Sequence, residues 1–200
     1  VLRYDQLGRG LSDRPDVAYD RALYQAQLDQ LLAALELEGP FDLVGLSFGG
    51  AVAATYAAAN PARVRRIVLV APIVHYAEGK LLFDVAKIPG VGEWYARVVS
   101  VPSTVRRARA FFPPDQADDL VARFESQTTI EGYERALLSY ARSDALQDHR
   151  PAYAAIADRP VTVLIGAEDH ETPPEHVAFL REQFGDGVQA IPGGGHGMHS

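Results

Sequence analysis

The chain has no cysteine. Disulfides, thiolate metal sites and a cysteine nucleophile are therefore excluded. Lysine appears only at Lys80 and Lys87, and the 19 basic residues are outweighed by 26 acidic ones, for a formal net charge of −7. A nucleic-acid surface needs clustered cations interleaved with stacking aromatics. The densest basic groups, Arg63-Arg65-Arg66 and Arg106-Arg107-Arg109, lack that interleaving and read as solvated faces. No apolar run approaches the ~20 residues of a membrane span. The 17 glycines and 13 prolines follow no period, which excludes collagen-like and low-complexity classes. With 48% hydrophobic and 22% charged residues, the composition is that of a folded domain and not a disordered one. Two hundred residues make one domain, or one domain with a large insertion. The acidic, cysteine-free composition leads to the expectation of a cytoplasmic protein.

What is present is an alternation of short apolar runs and helical patterns. Val1-Leu2-Arg3-Tyr4 reads as a strand, followed by the Gly-rich loop Asp5–Ser12. A buried-looking strand at the first residue leads to the expectation that elements precede it. Asp20 is a candidate N-cap for an amphipathic helix marked by Leu23, Gln27, Leu31, Leu32 and Leu35 at roughly helical period, ended by Gly39-Pro40. Phe41–Leu46 reads as a strand, Ser47–Asn60 as an Ala-rich helix stopped by Pro61, and Ile67-Val68-Leu69-Val70 as a strand buried on both faces of a parallel sheet. Strand–helix–strand repetition predicts an α/β fold with a mostly parallel, doubly wound sheet. The repetition breaks at 73–150, a helical, aromatic-rich stretch with breakers at Pro89-Gly90, Pro102 and Pro113-Pro114. It resumes with a strand at Val161–Ile165, a helix at Glu175–Phe184 opened by Pro173-Pro174, and a strand at Val188–Ile191. The expected organisation is a first core part at 1–72, an inserted helical cap at 73–150 and a second core part at 151–200.

Gly45-Leu46-Ser47-Phe48-Gly49 fits G-x-S-x-G between a predicted strand and a predicted helix. A sharp strand-to-helix turn exposes the serine hydroxyl, and a side chain at position 45 or 49 is expected to clash. A nucleophilic serine needs a base and a group that orients the base. For this turn the chain order is serine, then Asp or Glu, then histidine. Asp169 and His196 lie in loops following predicted strands, so Ser47, Asp169 and His196 can converge at one sheet edge. Glu168 competes for the acid role and Asp148 is a third candidate, with Gly166-x-x-Asp169 spacing favouring Asp169. His199 competes with His196, and His170 reads as solvated. His75, His149 and His176 have no ligand spacing, so no metal site is expected. Asp5, Gly8, Gly10 and Ser12 read as turn formers. No lysine follows the Gly-rich turn, which argues against a nucleotide-binding P-loop. Trp94, Phe111, Phe112 and Tyr133 are core residues or, where they face the sheet edge, the lining of an apolar substrate pocket.

The Tyr4–Asp13 segment, the Ser47 turn with its Ala-rich helix and Asn60-Pro61, the Gly166-x-x-Asp169-x-x-x-Pro173 loop and the Gly195-His196 loop together resemble the α/β-hydrolase fold family, in its general serine-hydrolase branch, and the Pro89-Gly90-Val91-Gly92-Glu93-Trp94 segment resembles its bacterial esterase and monoacylglycerol-lipase-like members. The resemblance covers most of 1–72 and 160–196, with 73–150 placed where those enzymes insert a cap. It implies Ser47 as nucleophile, His196 as base, Asp169 as the residue that orients and balances the imidazole, and the Phe48 backbone N–H as an oxyanion donor. A second donor comes, in this family, from a loop after the third strand, often marked His-Gly, and no such segment is present. The resemblance thus implies a fold lacking its first strands and a chain truncated at both ends. The implied activity is cleavage of a carboxylic ester or related acyl compound, a small-molecule acyl substrate handled without a cofactor. The same residues also serve C–C bond hydrolases, lactonases, amidases and cofactor-free perhydrolases, and a catalytically incomplete fragment is a further alternative. Haloalkane dehalogenation is disfavoured, because that branch has aspartate where Ser47 stands.

Overall fold

A computed structural model of the chain describes residues 1–76, 81–109, 112 and 115–196, apart from the side chain of Leu82. Phe111, His199, Lys80 and Pro113-Pro114 lie outside the described residues. The described residues within Val1–Gln27 and Ala77–Leu146 form one compact unit, and those within Leu28–Tyr76 and Gln147–Met198 form another.

The second unit holds a four-stranded, wholly parallel sheet with strand order β1-β2-β3-β4, formed by β1 (Phe41–Leu46), β2 (Val64–Val70), β3 (Val161–Gly166) and β4 (Val188–Ile191). Helix α2 (Phe48–Ala59) packs on β1 and β2, and α9 (Pro174–Phe184) packs on β3 and β4. Both touch α8 (Arg150–Ala154). Sequential strand order with right-handed crossovers keeps such helices on one face of the sheet. That face holds Ile67, Leu69, Val163 and Ile165, all buried. On the other face Val68, Val70 and Leu164 are half-buried and Val44 is exposed. The expectation that β2 is buried on both faces is therefore corrected: its burial alternates, because the described crossover helices cover one side.

Small residues let α2 sit close to the strands, and Gly50, Ala51, Ala53, Ala54 and Ala57 are buried there. Tyr56, also buried, donates its hydroxyl to Asp29 Oδ1 at 2.8 Å. Asn60 ends α2 by giving its side-chain N–H to the Tyr56 carbonyl, and Pro61 prevents continuation. Tyr153 of α8 is fully buried, and its hydroxyl donates to the Ile73 carbonyl at 2.7 Å.

Helix α1 (Arg21–Ala34) starts as expected, with Asp20 Oδ1 accepting the Leu23 N–H at 2.8 Å. Its buried side chains are Tyr24, Leu28 and Leu32, whereas Leu23 and Leu31 are half-buried and Leu35 is exposed. The buried stripe is rotated by about one residue from the expected one, because Tyr24 takes an inward position in place of Leu23 and Leu28 in place of Gln27.

The first unit carries the helices α3 (Leu81–Ala86), α4 (Val91–Tyr95), α5 (Val101–Ala108), α6 (Ala117–Thr128) and α7 (Tyr133–Arg142), with a π-helical turn at Ala96–Ser100 between α4 and α5. Ala86, Ala96 and Leu138 form a small apolar cluster. Beside it, Arg142 donates to the Ala86 carbonyl at 2.7 Å and to Glu93 Oε1 at 2.9 Å. Val1–Tyr4 is not a strand: it has no ladder partner among the described residues, and Val1 and Leu2 are exposed. A strand is stable only when its N–H and C=O groups pair. The following loop is built as a turn. Leu11 N–H donates to Asp5 Oδ2 at 2.9 Å, Ser12 Oγ donates to the Asp5 carbonyl at 2.5 Å, and a Cβ at Gly10 would lie 2.2 Å from the Asp5 carboxylate.

Candidate active site

Three loops leave the C-terminal ends of β1, β3 and β4 at one edge of the sheet. The first begins at Ser47. In register Leu46 faces Val70, and the Ser47 N–H extends that ladder by donating to the Val70 carbonyl at 2.8 Å. Its backbone then turns sharply, with φ 50° and ψ −117°. Such a conformation costs a non-glycine residue about 1–3 kcal/mol. Two bonds to the Ser47 carbonyl hold it there, from Gly50 N–H at 3.0 Å and Ile73 N–H at 3.1 Å.

Glycine at position 45 is required by space. A Cβ there would stand 2.3 Å from the Gly49 carbonyl oxygen and 2.7 Å from the Gly50 Cα. The matching expectation for position 49 is corrected: a Cβ at Gly49 meets nothing within 4 Å. The second tight glycine is instead Gly50, whose Cβ would come within 2.7 Å of Pro72.

The other two loops are tied to each other. Ala167 N–H donates to the Ile191 carbonyl at 3.0 Å and Glu168 N–H to the Gly194 carbonyl at 2.9 Å. A Cβ at Gly166 would lie 2.2 Å from the Gly194 oxygen, so the close approach depends on glycine. This docking brings the His196 ring to Asp169. Nδ1 lies 3.0 Å from Oδ2 and 3.2 Å from Oδ1, and Nε2 lies 3.2 Å from Ser47 Oγ. The Asp169 side chain is fully buried and that of His196 is 19% exposed. Asp169 also accepts the N–H groups of Glu171 at 2.8 Å and Thr172 at 3.1 Å on Oδ1, and the Thr172 hydroxyl at 2.7 Å on Oδ2. Burial pushes the Asp169 carboxyl up, but the hydrogen bonds from Thr172, His196 and Glu171 outweigh it and hold the carboxyl below its ordinary range.

Ser47, Asp169 and His196 are thus in continuous hydrogen-bond contact. Of the competing acids, Glu168 is exposed and enters the loop contact through its backbone, while Asp148 accepts two bonds from Arg150. His170 is exposed. His75 lies edge-on to the buried His176, with ring centroids 4.3 Å apart. Among the described residues no group of three or more His, Asp or Glu is arranged to hold a metal ion, and no helix is long and apolar enough to cross a membrane. Phe48, the first residue of α2, is half-buried. Trp94, Phe112 and Tyr133 belong to the first unit. There Trp94 is 59% exposed, Phe112 is half-buried, and Tyr133 is buried beneath the Arg9 guanidinium, 5.9 Å from its ring centroid. A cavity of about 570 Å³ lies beside α9, β3 and β4, lined in part by Asp169 and Thr172 but not by Ser47 or His196. Thr172 is the participant that the sequence reading missed. The signal for it was a Thr three residues after an acidic loop residue and directly before Pro173, a pattern that closes a turn on the aspartate.

A model of the alpha/beta hydrolase family matches residues 1–200 of the chain. The chain is 32% identical over 143 residues to the 2-hydroxy-6-oxo-2,4-heptadienoate hydrolase of Pseudomonas putida (strain F1), covering 70% of this chain and 48% of that protein. It is 47% identical over 70 residues to the 2-hydroxymuconate semialdehyde hydrolase of Pseudomonas sp. (strain CF600), covering 34% of this chain and 24% of that protein. These alignments span less than half the length of either curated relative. Among solved structures, a bromoperoxidase of Bacillus anthracis superposes with a TM-score of 0.76 at 20% identity, covering 98% of this chain and 74% of that one, a likeness of fold.

Proposed function

The chain belongs to the alpha/beta hydrolase family, and from that premise we propose that it carries the catalytic groups of a serine hydrolase that cleaves a carboxylic ester or related acyl compound through an acyl-enzyme on Ser47. The observation that carries this reading is the hydrogen-bonded run from Ser47 Oγ through both His196 ring nitrogens to Asp169.

In this reading Ser47 Oγ attacks the substrate carbonyl carbon while its proton passes to His196 Nε2. Asp169, buried and acceptor-only, holds the Nδ1–H tautomer and balances the imidazolium charge. The negative charge on the carbonyl oxygen is met by the Phe48 N–H at the start of α2, where the helix dipole also favours an anion. Collapse of the tetrahedral species expels the alkoxide, which takes the proton from His196. Water then enters and adds to the acyl carbon as it gives a proton to His196; the bond from Ser47 Oγ to that carbon breaks, Oγ takes the proton back from His196, and the acid leaves. We place the cap at 73–150, between core parts at 1–72 and 151–200. The helices α3 to α7 in that stretch support this placement. Trp94, Phe111, Phe112 and Tyr133 are our candidates for the apolar side of a small acyl substrate. The acidic, cysteine-free composition supports a cytoplasmic setting.

A second reading is C–C bond hydrolysis with the same three residues, favoured by the likeness to hydrolases named for 2-hydroxy-6-oxo-2,4-heptadienoate and 2-hydroxymuconate semialdehyde. The test is covalent labelling of the 200-residue chain with a fluorophosphonate probe beside Ser47→Ala, followed by turnover of an ester panel and of those two compounds. Labelling lost in Ser47→Ala is expected, and labelling that persists in that variant overturns the reading. Turnover of the two dienoic compounds without ester cleavage selects the second.

A further inference from the structure

Thr172 stands where the loop after β3 enters α9. Pro173 follows it, which restricts the Thr172 backbone to extended conformations, and Pro174 opens the helix. The side chain is β-branched, so few χ1 rotamers are open to it. The residue is only 8% exposed. Backbone and side chain are both fixed before the hydroxyl meets its partner.

That partner is Asp169. The two main-chain donors, Glu171 and Thr172 N–H, both fall on Oδ1. Bonds to one oxygen alone leave a carboxylate able to pivot about its Cβ–Cγ bond. The Thr172 hydroxyl binds the other oxygen, Oδ2, at 2.7 Å, and this is the oxygen nearer His196 Nδ1. Anchoring both oxygens fixes the plane of the carboxylate. It also makes the hydroxyl and the imidazole N–H share the charge on Oδ2.

We propose that Thr172 is a positioning residue that locks the plane of the Asp169 carboxylate toward His196. The proposal rests, for its catalytic meaning, on the reading of Ser47, His196 and Asp169 given above. Its physical consequence has a definite sign. Without the hydroxyl, the charge of Oδ2 falls more fully on His196, which favours the imidazolium and raises the histidine pKa. A base that holds its proton more tightly at neutral pH is less available to Ser47, and a carboxylate free to pivot orients it less well. Among the described residues, the titratable groups beside the pair on the same loop are Glu168, His170 and Glu171, all exposed, and Arg181 of α9 lines the cavity bordered by Asp169 and Thr172. Substitution at position 172 leaves them in place.

The test compares the wild-type chain with Thr172→Val, which keeps the shape and removes the donor, and Thr172→Ser, which keeps the donor. The His196 ring is titrated by NMR, and Ser47 labelling by the fluorophosphonate probe is timed in parallel. The expected result for Thr172→Val is a His196 pKa raised by about half a unit to one unit and labelling slowed roughly tenfold, as for loss of a hydrogen bond to a charged group. Thr172→Ser is expected to restore both. A Thr172→Val protein whose His196 titrates as in the wild type overturns the proposal. If Thr172→Val does not fold, Thr172→Ser decides: a shifted His196 in that variant overturns it, and a wild-type titration supports it. A wild-type chain whose Ser47 resists the probe while Thr172→Val still shifts His196 would refute the hydrolase reading and leave the positioning role standing.

Discussion

Gly45→Ala isolates the geometry of the turn at Ser47. The added Cβ would lie 2.3 Å from the Gly49 carbonyl oxygen, 2.6 Å from its carbon and 2.7 Å from the Gly50 Cα. Ordinary contact for a Cβ begins near 3.4 Å. The three nearest atoms are all backbone in the first turn of α2, where no side chain can swing aside to relieve the overlap, and that turn must back away from β1 by about 1 Å. Overpacking of this kind costs roughly 1–3 kcal/mol, a Tm lowered by roughly 2–12 °C at this chain length. Ser47 stands at the N-cap position of α2, and its Oγ is 3.2 Å from His196 Nε2. A 1 Å displacement carries the pair out of hydrogen-bond reach and is expected to slow Ser47 labelling on the order of 100-fold. Gly49→Ala is the control. Its Cβ enters open space, and alanine in a helix is favoured over glycine by about 0.5–1 kcal/mol. The assay is a thermal melt of each variant beside the timed labelling reaction. Wild-type melting and labelling in Gly45→Ala, or equal destabilisation by Gly49→Ala, would refute the argument.

Asp169→Asn should slow Ser47 labelling roughly a thousandfold or more, because an amide N–H facing Nδ1 favours the tautomer with its proton on Nε2, which cannot accept one from serine; a labelling time course measures this. The depressed Asp169 carboxyl stabilises the fold above the ordinary carboxylate range, and this contribution is lost as pH falls through the lower, folded-state value. The Tm advantage of the wild type over Asp169→Asn is therefore expected to hold from neutral pH down and to close below about pH 4; melts across the acid range would detect a gap that fails to close. Tyr153→Phe removes from the fully buried Tyr153 the hydroxyl that donates to the carbonyl of the half-buried Ile73 at 2.7 Å. It is expected to cost roughly 1–3 kcal/mol, and an unchanged Tm would contradict it.

Several features were legible in the residues alone, because they depend on local chemistry. Asp20 caps α1, Asn60-Pro61 ends α2 and Pro174 opens α9 through bonds and ring constraints made within a few positions. Short apolar runs in alternation with helices gave a parallel sheet, since each run had to be buried and each helix had to return the chain. The G-x-S-x-G turn and the two later loops are local too, and chain order alone suggested that Ser47, Asp169 and His196 share a sheet edge.

Other features depend on atoms far apart in sequence. Whether a glycine is obligatory is set by what stands opposite its missing Cβ, which is backbone at Gly45 and open space at Gly49. The inward face of α1 was set by Tyr24, which meets Tyr140 edge-on at 6.2 Å between ring centroids. The exposed Val44 and half-buried Val68 and Val70 depend on which face the crossover helices cover. Val1–Tyr4 has the composition of a strand but no neighbour to pair with among the described residues. Nothing in the local sequence around Thr172 fixes its partner, which is Asp169 Oδ2 at 2.7 Å from its hydroxyl. Sequence determined which groups could act, through local bonding and periodicity. Only the tertiary structure decided which of them meet, because distance, burial and steric exclusion are properties of the packed chain.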